Sequence, residues 1–179
     1  MFEFKIGGAY EATVLLDKGW PTKTVSVIQE SADFRSTGPS HLVVHMSDVF
    51  SPHMSPHAPT MDHLLTILDH TKDLKDDDRL LVNCWAGQSR STAAAIGILI
   101  QHGFDYLTAF EMVLEERDIA LPNGLLIQHI DSHFGLGGEL CKKTADHRKS
   151  ELSKPYITAN AQTAQQTIDQ MRAFIDMLK

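Results

Sequence analysis

A cysteine, two serines and an arginine stand close together near the middle of the chain. They are Cys84, Ser89, Arg90 and Ser91, in the stretch Arg79-Leu80-Leu81-Val82-Asn83-Cys84-Trp85-Ala86-Gly87-Gln88-Ser89-Arg90-Ser91. An apolar segment enters this stretch and the apolar run 92–100 leaves it, which reads as strand, loop and helix N-terminus. Such a loop gathers several backbone N–H groups and the positive end of a helix macrodipole at one point, the makings of an anion site. The field that draws an oxyanion also favours a thiolate, so Cys84 is expected to have a lowered pKa and to act as a nucleophile. Arg90 offers a planar pair of donors to two oxygens of a tetrahedral anion, which a lysine does less well. Gly87 lets the backbone turn its amides inward, and Ser89 and Ser91 have hydroxyls to donate to the thiolate or to the loop. A buried structural cysteine ahead of a core helix is the plainer alternative. It leaves Arg90 and the small-residue loop without a purpose.

Cys84, five intervening residues, Arg90 and Ser91 resemble the signature loop of the protein tyrosine phosphatase superfamily. The run Cys-Trp-Ala-Gly-Gln-Ser-Arg-Ser-Thr-Ala-Ala-Ala is most similar to its compact dual-specificity-like members in bacteria, and the resemblance covers residues from about 20 to 138. It implies that Cys84 is the nucleophile, that Trp85, Ala86, Gly87, Gln88 and Ser89 bind phosphate with Arg90, and that Ser91 stabilises the departing thiolate. It also implies a general-acid aspartate on a loop upstream, and a chemistry without cofactor or metal. One position departs from the pattern: the family usually has His before the nucleophile, where this chain has Asn83. In the family that His orients the loop and keeps the cysteine ionised. An Asn amide donates hydrogen bonds but carries no charge, so a higher thiol pKa and slower chemistry are open consequences. Two rivals follow, a catalytically weak phosphate-binding pseudophosphatase and a rhodanese-like sulfurtransferase.

The elements that must position this loop are legible in part. Residues 24–28 and 41–46 read as strands, and with the strand into Cys84 they predict an α/β fold around a central, mostly parallel sheet flanked by helices, cysteine-phosphatase-like, with a C-terminal helix appended. Ligands bind beyond the carboxyl ends of such strands, where Asp48 and Cys84 both fall. Asp48 follows a strand and opens a Pro-rich, potentially mobile loop, 49–59. The resemblance makes it the acid, and a solvated carboxylate or a cap is the alternative. His53, His57 and His63 fit no strong zinc spacing and read as solvated, or as contacts to a phosphorylated substrate. Thr60 predicts an N-cap with Met61, Leu64, Leu65 and Leu68 inward. Asp105 caps a helix with Leu107, Phe110 and Leu114 inward, and Pro122-Asn123 starts one with Leu126, Ile130 and Phe134 inward and Gly135 at its end. Asp118 and Asn123 line the cleft or serve as turn residue and cap. Little can be read from residues 1–20.

A chain of 179 residues suits one domain with a real core, divided here into a catalytic domain over 1–138, a basic connector over 139–157 and a C-terminal helix over 158–179. The net charge of −7 argues against a nucleic-acid partner. Two cysteines make no disulfide framework, and neither a signal segment nor a membrane helix is evident, so a soluble cytoplasmic protein is expected. The expected partner is a phosphorylated protein or a small phosphate ester. Ala164, Ile168, Met171, Ile175 and Leu178 form a narrow apolar seam, for packing on the domain as a monomer or for a homodimer.

Overall fold

The computed structural model describes residues 1–29 and 40–153. Four short strands, β1 (Glu3–Gly7), β2 (Lys23–Ile28), β3 (His41–His45) and β4 (Arg79–Asn83), make one sheet in the order β1-β4-β2-β3, every pair parallel. The helices are α1 (Ala9–Asp17), α2 (Met61–Thr71), α3 (Arg90–Gln101), α4 (Tyr106–Glu116), α5 (Gly124–Phe134) and α6 (Glu139–Ser153). Parallel neighbours need crossovers, and helices supply them. β4, the strand that ends at Asn83, lies inside the sheet between β1 and β2. The loop after it therefore opens at the middle of the sheet's carboxyl edge.

Alternation along the strands decides the two faces. Phe4 and Ile6, Val25 and Val27, Leu80 and Val82 join the main core, together with Leu64, Ile67 and Leu68 of α2 and Leu126, Ile127 and Ile130 of α5. The opposite face carries Thr24, Ser26, His41, Leu81 and Asn83, all buried although four of them are polar. α3 is buried along Arg90 to Leu99, and its Ala93-Ala94-Ala95 run lets it lie close to the sheet. Its Gly97 faces Ile130 of α5 and Leu64 of α2, where an added Cβ would come within 3.2 Å of Ile130.

The expected caps hold. Thr60 accepts from the His63 amide at 3.3 Å while His63 Nδ1 accepts from the Thr60 amide at 3.1 Å; Asp105 caps α4 and Asn123 caps α5. Two inward positions do not: Leu65 and Leu107 are exposed, and the buried stripes run through Ile67 and through Ala109, Phe110 and Val113 instead. The other positions counted as inward include Leu64, Leu68, Phe110, Leu126 and Ile130, all of them buried.

The stretch 139–157 was expected to be a connector, yet residues 139–153 form α6. Asp131 of α5, itself buried, accepts from the amides of Gly138 (2.7 Å), Leu140 (3.0 Å) and Cys141 (3.1 Å), so a carboxylate caps the start of α6 and fixes it to α5. Leu140 and Thr144 are buried on that first half. The chain divides into two units, Met1–Ala145 and Asp146–Lys179, so residues 139–145 belong with the sheet rather than beyond it. The seam helix expected over 158–179 lies outside the described residues. No described helix is long and apolar enough to cross a membrane.

Candidate active site

The loop between β4 and α3 is shaped by what holds its carbonyl groups. Trp85 O accepts from the Ala9 amide at 3.0 Å, Gln88 O from the Leu121 amide at 2.9 Å and Ser89 O from the Asn123 amide at 3.1 Å. Arg117 donates from Nη2 to Ala86 O at 3.2 Å and from Nε to Gly87 O at 3.1 Å. All five carbonyls from Trp85 to Ser89 are thus held from outside. In a planar trans peptide the N–H of the next residue points opposite its neighbour's C=O, so the amides of residues 86–90 turn to the inside of the loop. Gly87 makes this path possible: its φ is +68°, and an added Cβ would lie 2.5 Å from the Gly7 carbonyl carbon.

Cys84 sits at the centre, buried, with Sγ 3.1 Å from Ser91 Oγ. Burial pushes its thiol up, but the Ser91 hydroxyl and amide, the Arg90 charge and the Gln88 amide outweigh it and hold the pKa below the ordinary thiol value. Arg90 is buried at the first turn of α3; its Nη1 donates to Met46 O at 2.8 Å, and its Nε has no hydrogen-bond partner among the described residues. A buried guanidinium N–H without an acceptor is costly, and an oxyanion in the loop would supply one. The Ser91 hydroxyl thus lies against the sulfur. Ser89 turns elsewhere, donating to Asp48 Oδ1 at 2.7 Å.

Asp48 is brought to the loop from the end of β3. Asn123 Nδ2 also donates to Oδ1, at 2.9 Å, while Oδ2 lies 3.7 Å from Arg90 Nε. One oxygen is anchored twice and the other faces the anion site. The segment that carries Asp48 is tied down at both ends: the Ser47 amide donates to His57 O at 2.7 Å, and the hydroxyls of Ser47 and Ser55 lie 2.9 Å apart. Asn123 does both things the sequence allowed, capping α5 with Oδ1 and reaching the cleft with Nδ2. Trp85, within the loop, is exposed. Asn83 is buried on the polar face of the sheet, its Oδ1 accepting from Ser26 Oγ at 2.7 Å.

Arg117 and Glu11 escaped sequence reading. Besides its two loop carbonyls, Arg117 donates to Glu11 Oε1 at 2.9 Å, and Glu11 Oε2 accepts from the Gly8 amide at 2.7 Å. The turn between β1 and α1, the end of α4 and the loop are thereby locked together. His63 is engaged by Thr60, and His129 Nε2 pairs with Pro59 O. Among the described residues no group of three or more His, Cys, Asp or Glu is arranged to hold a metal ion.

Among solved structures, dual-specificity and tyrosine phosphatases share this fold. The crystal structure of DUSP15 is similar with TM-score 0.57 and 20% identity over 82% of this chain and 92% of that one. The Yvh1 phosphatase domain from Chaetomium thermophilum gives TM-score 0.57 and 23% identity over 76% and 93%, and human DUSP28 gives 0.55 and 22% over 76% and 94%. At these identities the likeness is one of fold. No protein-family model and no curated protein matches the sequence.

Proposed function

We propose that the protein is a cysteine-dependent phosphomonoester hydrolase of the tyrosine and dual-specificity type. The observation that carries the reading is the loop whose five carbonyls are bound outward, with Sγ of Cys84 within it and Arg90 Nε buried beside it without a hydrogen-bond acceptor among the described residues. Donors fixed in advance around one point stabilise the charge that develops on a transferring phosphoryl group, and each is worth roughly 10²–10³ in rate.

In the proposed reaction the Cys84 thiolate attacks phosphorus in line, forming the S–P bond as the ester P–O bond breaks. Asp48, entering as the carboxylic acid, gives its proton to the leaving oxygen, an effect worth about 10²–10⁴ for a poor leaving group. The substrate departs as an alcohol. Water then attacks the thiophosphoryl group, gives a proton to the Asp48 carboxylate, and the S–P bond breaks to return the thiolate and inorganic phosphate. Arg90 and the amides of residues 86–90 hold the equatorial oxygens throughout, and Ser91 donates to the sulfur as it leaves phosphorus. The substrate is a phosphorylated protein or a small phosphate ester, and a reducing cytoplasm suits such a thiol.

The second reading, a phosphate-binding module with little turnover, is favoured by Asn83 alone. Hydrolysis of p-nitrophenyl phosphate by the reduced protein in EDTA separates the two. Turnover that disappears in Cys84→Ser is expected; binding of vanadate without turnover would transfer the reading to the module. Sulfur transfer from thiosulfate is expected to be absent, because a persulfide carrier has no use for the leaving-group acid at Asp48.

A further inference from the structure

Asn83 is tied into the sheet by a chain of buried polar groups. Ser26 of β2 is in register with Asn83 of β4. Its Oγ lies 2.7 Å from Asn83 Oδ1 and 2.8 Å from Nε2 of His41 on β3. Ser26 and Asn83 are wholly buried and His41 is 5% exposed. A hydroxyl has a single proton to give. Spent on Asn83 Oδ1, which only accepts, it obliges Ser26 to accept from His41 Nε2–H. Burial, reinforced by the neighbouring His70, holds His41 below the ordinary histidine value, so near neutrality the ring is uncharged and the chain carries dipoles only. The order of donation is His41 to Ser26 to Asn83.

Anchoring the amide oxygen fixes the other end of the amide. Asn83 Nδ2 is buried and has no acceptor among the described residues, one residue before the nucleophile. An Asn held only by its backbone would turn to satisfy that donor; here Ser26 forbids it. We propose that Ser26, backed by His41, is a positioning residue that holds the Asn83 amide in one orientation, its N–H₂ end kept open for a loop that carries negative charge, and so favours the ionised form of Cys84. An oriented dipole then does, without a charge, part of what a histidine before the cysteine would do. The effect on the thiol is independent of any activity; the effect on rate rests on the phosphatase reading above.

The test is the pH profile of Cys84 alkylation by iodoacetamide, with turnover of p-nitrophenyl phosphate beside it and melting curves to show that each variant folds. Ser26→Ala is expected to raise the alkylation midpoint by roughly half a unit or more and to lower kcat about fivefold with KM little changed, the scale of one buried hydrogen bond. Asn83→Leu, which keeps the shape and loses the donor without adding a charge, is expected to raise the midpoint further, and Ser26→Thr, which restores the hydroxyl, to return it toward the original. A midpoint unmoved in folded Ser26→Ala and Asn83→Leu overturns the proposal. Should those variants not fold, the unaltered protein decides: the Asn83 side-chain N–H₂ resonances are expected to shift as Cys84 ionises or binds vanadate, and no shift overturns it. A protein without turnover whose midpoint still moves with Ser26 would sink the phosphatase reading and leave this one standing.

Discussion

Asp48 is the residue whose role depends most on its surroundings. Ser89 and Asn123 grip Oδ1, which leaves Oδ2 as the atom to meet a leaving group in the proposed reaction. An acid matters in proportion to how badly the leaving oxygen needs a proton. Asp48→Asn is therefore expected to slow an alkyl phosphate by about 10²–10⁴ and p-nitrophenyl phosphate far less in the first step, as single-turnover kinetics would read it. Equal loss on both substrates would remove Asp48 from that role. The residues with chemistry in their side chains were legible from type and spacing: Cys84, Arg90, Ser91 and Asp48 all meet at the loop. Arg117 and Glu11 were not, because their bonds join residues 30 and 106 positions apart and neither side chain differs locally from a surface ion. Ser89 was seen as a loop donor, and its actual target, Asp48, emerges only when the end of β3 is folded alongside.

Among the elements, α3 and the strand before it announce themselves because they are buried all round and so read as continuous apolar runs. α1 and α6 are quieter. α1 buries only Ala12, and the described part of α6 only Leu140 and Thr144, so neither shows a strong apolar stripe. β1 alternates Glu3-Phe4-Lys5-Ile6 over too few residues to stand out before its pairing with β4 is known. α6 starts on a capping carboxylate that belongs to the helix before it, seven to ten residues back, a pairing that helical periodicity does not display. Asp131→Ala leaves three amides without their acceptor and is expected to cost about 1–3 kcal/mol in urea unfolding. A cost near zero would mean that α6 stands without this cap.

For the molecule as a whole, three histidines are expected to weaken the fold in acid. His41, His63 and His70 are each held below their ordinary value of 6.5, first by burial, with His70 acting on His41, His57 and His129 on His63, and Lys23 on His70. A folded-state pKa below the unfolded one means that the unfolded chain binds more protons on acidification, so stability is full above 6.5 and falls as pH drops through the lowered folded values. Cys84 has the same sign on the alkaline side. Its depressed pKa adds stability as pH rises through the folded value toward 9.0, the ordinary thiol value. Melting temperatures across pH are expected to fall below 6.5 in the unaltered protein and in Cys84→Ser alike, with the alkaline rise lost only in the variant. A melting temperature indifferent to acid would contradict the lowered values of these three histidines.

The most direct measurement is of the covalent intermediate. During turnover of p-nitrophenyl phosphate, quenched protein is digested and the peptide containing Cys84 is weighed by mass spectrometry, for the unaltered protein and for Asp48→Asn. A single phosphoryl group on Cys84 is expected, and more of it in Asp48→Asn, because the carboxylate that accepts a proton from the attacking water is gone while the activated phenolate still leaves. Steady turnover with Cys84 never phosphorylated, in either protein, would contradict nucleophilic catalysis by this cysteine.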